Sequence, residues 1–381
     1  MAQLGALCIS NLCATKPWEA KVKKICFLIG NLSSSGGTER VTTLIANNLV
    51  EHSKYEMSIL SLVDGKNPFF DLNPGISIHS LHDKKVSFKS NYLSTVWNIR
   101  KFVQVQKIDT LIVVDSIACI FTIPALLGLK VKHISWEHFN FNNNNGVKLR
   151  DLSRKLAAKY CDYVITLTEK DKILWENNLK NINAQVIAIS NPCPFPIIQS
   201  YTKEKNTKIV LAVGRLTHVK GFDMLLQAWT HVHQFLPEWH LKIVGEGEDR
   251  EKLSNFILNN NLTSSVELVG NTNNIKDYYE QAEILCLSSH FEGFPMVLLE
   301  AQAFGLPIVA FDCETGPAEI LADTDSILVP QNNINLFASS LIDLMKNEEK
   351  RKLINFKSKE KAKIYQPQSI IEQWIKLLDS L

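Results

Sequence analysis

Short apolar runs rich in β-branched residues alternate with stretches of helical periodicity over almost the whole chain. KICFLIG, YEMSILSL, IDTLIVVD, KHISWEH, DYVITLT and QVIAIS come first; KIVLAVG, HLKIVG, VELVG, EILCLSS and LPIVAF follow. Strands buried on both faces read this way, and their alternation with helices predicts parallel sheets built from right-handed βαβ units. The series breaks once. NPCPFPIIQSYTKEKNTK is rich in proline and polar residues, has no periodicity and reads as a linker. The expected fold is α/β, with two Rossmann-like, doubly wound domains at 22–190 and 208–365, a linker at 191–207 and a closing helix at 366–381. Ligands of such sheets bind beyond the carboxyl ends of the strands, here across an interdomain cleft.

Two segments need separate reading. Residues 110–129, TLIVVDSIACIFTIPALLGL, imitate a membrane span but contain Asp115 and Pro124. A buried strand, a turn and a short core helix fit better than the ~20 apolar residues of a spanning helix. Residues 1–21 are mildly apolar without a basic start, so they make a poor signal peptide and read as an extension outside the fold.

Composition adds limits. The 381 residues are 45% hydrophobic and 21% charged, those of a globular protein with ample core. A formal charge of +2 gives no whole-chain field for nucleic acid. The eight cysteines include no C-x-x-C and no cluster at zinc spacing. Cys26, Cys119 and Cys286 lie in apolar runs, as free thiols of a reducing cytoplasm do.

Four stretches could carry chemistry. LIGNLSSSGGTER takes a strand through a Ser/Gly loop into a helix near Thr38. Its glycines permit close backbone approach, and the helix start suits an anionic group, though a plain turn fits equally. VGRLTHVKGF puts Arg215 and Lys220 in the loop after a strand. An arginine fork and a lysine point charge suit a diphosphate; a solvated loop is the alternative. In HFEGFPMVLLEAQAFG, Pro295 fits the first helical position. Glu292 then sits at the helix's positive end, with the backbone amides of residues 293–297 between it and Glu300. Glu300 has little polar face to occupy, which points to a buried carboxylate. HISWEH carries Glu137 and His138 to a strand end, where an imidazole orients a hydroxyl, moves a proton or serves structure alone.

Together these residues resemble a GT-B glycosyltransferase of the large retaining family usually called family 4, also known as glycosyl transferases group 1. The resemblance runs from Val22 over most of the chain. It rests on GRLTHVKGFDMLLQAW, VGEGEDREKL, EGFPMVLLEA with its two glutamates, and GGTER. It implies that Arg215 and Lys220, beside Gly214, hold the diphosphate of a nucleotide-sugar. Glu300 takes the ribose, and Glu292 grips the donor sugar with the backbone of Gly293, Phe294, Met296 and Val297. His138 lies near sugar and acceptor, and Gly36 and Gly37 approach the diphosphate from the other domain. Fixed cations and helix-end amides would replace a divalent metal, so no metal or other cofactor is expected, and there is no D-x-D of the kind metal-dependent transferases carry. Pro295 departs from the family's frequent glycine and removes one amide donor.

The resemblance implies transfer of a hexose or N-acetylhexosamine, UDP-linked rather than GDP-linked, to a glycan or lipid-linked glycan in bacterial surface polysaccharide synthesis. The place would be the cytoplasm, at the inner face of the membrane. VKLRDLSRKLAAKY bears on the last point. Leu149, Leu152, Leu156 and Tyr160 share a helical stripe, with Lys148, Arg150, Arg154, Lys155 and Lys159 mostly elsewhere. Such a helix rests on anionic lipid, or turns its leucines to the core and its cations to water. The rival readings are a sugar-nucleotide epimerase of the same architecture and an inactive, transferase-like binding subunit.

Overall fold

A computed structural model describes residues 22–144, 146–198 and 207–381. The expected extension, 1–21, and most of the second half of the linker lie outside the described residues. Two parallel sheets carry the chain. The first holds β1 (Lys23–Ile29), β2 (Tyr55–Ser61), β3 (Ser77–Ser80), β4 (Thr110–Val114), β5 (Lys132–Trp136), β6 (Tyr163–Thr166) and β7 (Gln185–Ala188), in the order β3-β2-β1-β4-β5-β6-β7. The second holds β8 (Ile209–Val213), β9 (His240–Val244), β10 (Val266–Gly270), β11 (Ile284–Leu287), β12 (Ile308–Phe311) and β13 (Ile327–Val329), in the order β10-β9-β8-β11-β12-β13. In each, strand order reverses beside the first strand, opening a crevice at the carboxyl ends of β1 and β4 and of β8 and β11.

The eleven apolar runs named from the sequence are strands. The pattern misses β3 and β13, which are short edge strands with half their contacts missing. Residues 110–129 are β4, a 3-10 turn and the helix Cys119–Leu126. No helix among the described residues is long and apolar enough to cross a membrane.

Three apolar clusters fill the molecule. One covers the outer face of each sheet; the third runs continuously through both domains. The helix Pro367–Asp379 joins the third to the first domain. Its buried Trp374 lies against Phe27 and Trp136, at ring separations of 6.1 and 5.0 Å. Lys23 and Tyr55 of the first sheet bond to Leu378 and Asp379 near its end. At its other end, the Cys193 amide donates to the Tyr365 carbonyl at 2.7 Å. The two crevices are thereby held face to face.

The helix Lys148–Tyr160 turns the wheel around. Arg150 and Arg154 are buried, Arg154 to 1% exposure, while Leu149, Leu152 and Tyr160 stand in solvent, Leu152 at 49%. The alternative that its leucines face the core is incorrect. The reason is Glu137, a buried carboxylate beneath this helix, which draws both guanidinium groups inward.

Candidate active site

The loop after β8 reaches the loop after β11 because Gly221 adopts φ +59°, where a Cβ would overlap the Ser288 carbonyl. The Ser288 hydroxyl donates to the Lys220 carbonyl at 2.9 Å. Lys220 Nζ then meets Glu292 Oε1 at 2.7 Å, and the Ser289 hydroxyl donates to the same oxygen at 2.6 Å. The Glu292 carbonyl accepts from Thr315 Oγ1 at 2.9 Å. Lys220 and Glu292 therefore form one unit at the amino end of the helix Met296–Ala303. Pro295 caps that helix rather than opening it, and Met296 and Val297 follow with amides that have no intrahelical partner. The Phe294 ring lies in the core, 5.9 Å from Tyr365, so only its backbone faces the crevice. Arg215 is exposed and makes no ion pair with a described residue. Gly214 packs against the Lys220 chain, with a Cβ there 3.4 Å from it.

Glu300, more than a turn further on, is 4% exposed. Arg40 of the first domain reaches it at 2.7 Å, and the Tyr279 hydroxyl donates to its other oxygen at 2.6 Å. Burial pushes the carboxyl up; the Arg40 charge and the Tyr279 hydroxyl pull it partly back. Arg40 also lies over the Phe195 ring at 5.4 Å. GGTER thus contributes more than its glycines. Gly36 caps the helix Gly37–Leu49, and Arg40 on its first turn bridges the domains. The space above Gly37 is open.

His138 follows β5 on the facing wall. Its carbonyl sits where a Cβ on Gly293 would come within 2.6 Å, so the two walls touch there. Its ring lies 4.3 Å from Trp136, and Nε2 is buried without a described hydrogen-bond partner. Burial lowers its pKa to about 4, against a smaller opposing effect of Glu137, so the imidazole is neutral at physiological pH. A crevice lined by Glu137, His138, Phe139, Asn140, Leu167, Asp171 and Gly293 opens beside it.

What fixes His138 is a buried charge network. Glu137 accepts from the amides of His138 and Phe139 at 3.1 and 3.0 Å, from Ser116 Oγ at 2.5 Å and from Arg154 Nε at 2.9 Å. Burial opposes its charge, but Arg154, Ser116 and Arg150 hold its pKa below the usual value. Arg154 also donates to the carbonyls of Asn140, Phe141 and Asn143. Arg150 pairs with Asp115 at 2.5 Å. The loop so clamped sends Asn140 across the cleft to Glu314 and Thr315, at 3.0 and 3.1 Å, and Asn142 to Glu314 at 2.6 Å. Thr315, held this way, is the residue that bonds Glu292.

Arg40, Tyr279, Ser289, Asn140, Thr315 and Arg154 were not singled out as site residues from the sequence. The signal for Arg154 was present in Glu137, a carboxylate inside an apolar strand end that needs a buried cation. The others lie far apart in the chain and meet only through the cleft. The chain does contain one Asp-x-Asp, Asp323–Asp325. It precedes β13, an edge strand, and so lies at the amino end of the sheet away from the cleft loops; its acids turn to Lys361 and Lys357.

Two facing doubly wound domains with this cleft have the GT-B architecture. The family model described as Glycosyl transferases group 1 matches residues 196–361. An uncharacterized glycosyltransferase of Haemophilus influenzae is 39% identical over 93% of this chain and 99% of its own. The chain belongs to this family. It is also 29% identical, over 93% of this chain and 98% of the other, to the GalNAc-alpha-(1->4)-GalNAc-alpha-(1->3)-diNAcBac-PP-undecaprenol alpha-1,4-N-acetyl-D-galactosaminyltransferase of Campylobacter jejuni. Among solved structures, HepE of Anabaena in complex with UDP superposes with a TM-score of 0.79 at 17% identity, over 94% of this chain and all of that one.

Proposed function

We propose that this enzyme moves a hexose or N-acetylhexosamine from a UDP-linked donor, with retention of configuration, onto a lipid-linked glycan during synthesis of a bacterial surface polysaccharide. The Lys220–Glu292 unit carries the reading. It stands at a helix amino terminus, beyond the carboxyl ends of β8 and β11, opposite His138. Departure of a nucleoside diphosphate puts new charge on the β-phosphate. Lys220, Arg215 and the amides of Gly293, Phe294, Met296 and Val297 stabilise that charge most once it is fully formed, which is the condition for catalysis without a metal. Glu292, now occupied by Lys220, exchanges that partner for donor-sugar hydroxyls as the lysine turns to phosphate. Glu300 offers its remaining lone pairs to the ribose. Gly36 and Gly37 admit the diphosphate, and neutral His138 offers one hydrogen bond to the sugar or the incoming hydroxyl. The Campylobacter relative's undecaprenol-linked acceptor and the UDP in HepE favour these choices of acceptor and donor.

The acceptor's lipid implies an anionic membrane surface as the place of reaction. Leu149, Leu152 and Tyr160 form an exposed apolar stripe flanked by exposed Lys148, Lys155 and Lys159. The helix Tyr92–Gln106, which packs on Cys119–Leu126 as the helix Lys148–Tyr160 does, exposes Leu93 and Trp97 as well. Apolar side chains rimmed by lysines suit the headgroup boundary of such a bilayer.

Donor hydrolysis by the wild type, Lys220→Ala and Glu292→Gln, screened over UDP- and GDP-sugars, tests the site. Each variant is expected to lose about 10²–10³ in turnover with its preferred donor. Equal turnover in all three removes the assignment. Release of a UDP-sugar epimer by the wild type would favour the epimerase reading instead.

A further inference from the structure

The sequence shows no metal-binding spacing, yet the fold brings together two cysteines and a histidine from three elements. Cys119 opens the helix Cys119–Leu126, His133 lies near the start of β5, and Cys161 follows the helix Lys148–Tyr160. Their ligand atoms all lie within 4.8 Å of one another, and the side chains are 0%, 5% and 5% exposed. We propose that Cys119, His133 and Cys161 form a structural zinc site that staples these three elements together.

Geometry carries the proposal. Cys161 Sγ stands 3.5 Å from His133 Nδ1. With Zn–S near 2.3 Å and Zn–N near 2.0–2.1 Å, a tetrahedral corner spans about 3.5 Å between sulfur and nitrogen. That edge is already formed. His133 Nε2 lies 3.0 Å from the Thr122 hydroxyl, which has the Ala118 carbonyl at 3.4 Å to take its own proton. Thr122 can then accept from Nε2–H, and in that tautomer the Nδ1 lone pair faces the sulfur. A metal-bound imidazole is ordinarily held through its other nitrogen in this way.

A fourth group is at hand. Ser135 lies two residues beyond His133 on β5, hence on the same face, and beside Cys119. Its buried hydroxyl lies within hydrogen-bond reach of the Cys119 sulfur. A water held by it would fill the fourth position of a tetrahedron. Cys119 and Cys161 belong to the same apolar cluster as Phe121, Ala125, Ala157 and Val164. Two thiolates neutralise Zn²⁺, so the filled site places no net charge in that core. Binding releases two thiol protons to solvent, and soft sulfur donors select zinc over magnesium or calcium.

The site is structural because it is closed and remote. His133 lies near the start of β5 and His138 just beyond its end, a span of at most about 16 Å at the ~3.3 Å rise of a strand residue. Its effect on the cleft is indirect, since Cys161 anchors the helix whose Arg150 and Arg154 hold the His138 loop.

The experiment uses the full chain purified under reducing conditions. Metal content is measured by mass spectrometry, and chelator-treated protein is titrated with Co²⁺ alone while thiolate-to-cobalt charge-transfer absorption is followed. The expected result is one zinc per wild-type chain and a charge-transfer band saturating at one Co²⁺. Both are lost in Cys119→Ser and Cys161→Ser and kept in Cys286→Ser, whose thiol is buried in the other domain. A wild type that holds no stoichiometric zinc and gives no charge-transfer band overturns the proposal whether or not the variants fold. So does retention of the metal by folded Cys119→Ser and Cys161→Ser. A Cys119–Cys161 disulfide in peptide maps of the reduced preparation also overturns it.

Discussion

At the scale of the residue, burial decides what each ionisable group can do. His138 illustrates this. Its folded pKa of about 4 lies below the ordinary 6.5, because its desolvated ring resists a proton. Between those values the unfolded chain binds a proton that the folded chain does not, so wild-type stability falls as pH drops through 6.5 towards 4 and levels off below. Relative to His138→Gln, the wild type should lose up to about 3 kcal/mol between pH 7 and pH 4, at 1.36 kcal/mol per pKa unit. Urea midpoints of both proteins at several pH values measure the difference. Parallel curves would mean that the ring is solvated. The sequence placed this histidine correctly at a strand end but could not show its burial, which Trp136 and the opposing domain create.

At the scale of the element, the helix Lys148–Tyr160 serves two purposes with two faces. Its inner face neutralises Glu137 through Arg154, and its outer face is the apolar stripe. Replacing Arg154 with leucine leaves a buried carboxylate without its cation and should destabilise the protein by about 3–5 kcal/mol, read by urea denaturation. Leu152→Glu, on the exposed stripe, should change stability by no more than about 0.5 kcal/mol. It should nevertheless reduce sedimentation with liposomes containing anionic lipid. If Leu152→Glu bound such liposomes as well as the wild type at low salt, the stripe would not be the contact. The helical period was legible in the sequence. Which side faced inward was not, because arginines normally point to water and only a buried partner from another strand reverses that preference.

At the scale of the whole molecule, the apolar cluster shared by both domains is joined across the cleft by polar contacts that include Arg40 with Glu300, Asn140 and Asn142 with Glu314, Asn140 with Thr315 and the Glu169 amide with Glu319, and by the bare backbone of Gly293 against His138. The first is the clearest to test. A double-mutant cycle of Arg40→Gln and Glu300→Gln should give a coupling of about 0.5–3 kcal/mol, since the two groups touch and one is buried. UDP binding followed by calorimetry on the same variants reads the second consequence. Arg40→Gln frees a lone pair of Glu300 and should leave UDP affinity intact or improved, whereas Glu300→Gln weakens it. Additive stability effects would show that the bridge does not hold the domains together.

By itself the sequence determined the alternation of buried strands and helices, and with it two parallel sheets, the strand-end loops and the placing of Lys220, Glu292 and His138 on them. These follow from local apolar periodicity and from where loops must fall in a doubly wound sheet. Tertiary structure alone decided which charges meet: Arg40 with Glu300, Arg154 with Glu137, and the cysteines and histidine clustered behind β5. Such pairs join residues far apart in the chain, and a carboxylate, guanidinium or thiol carries no mark of its partner until desolvation makes that partner necessary.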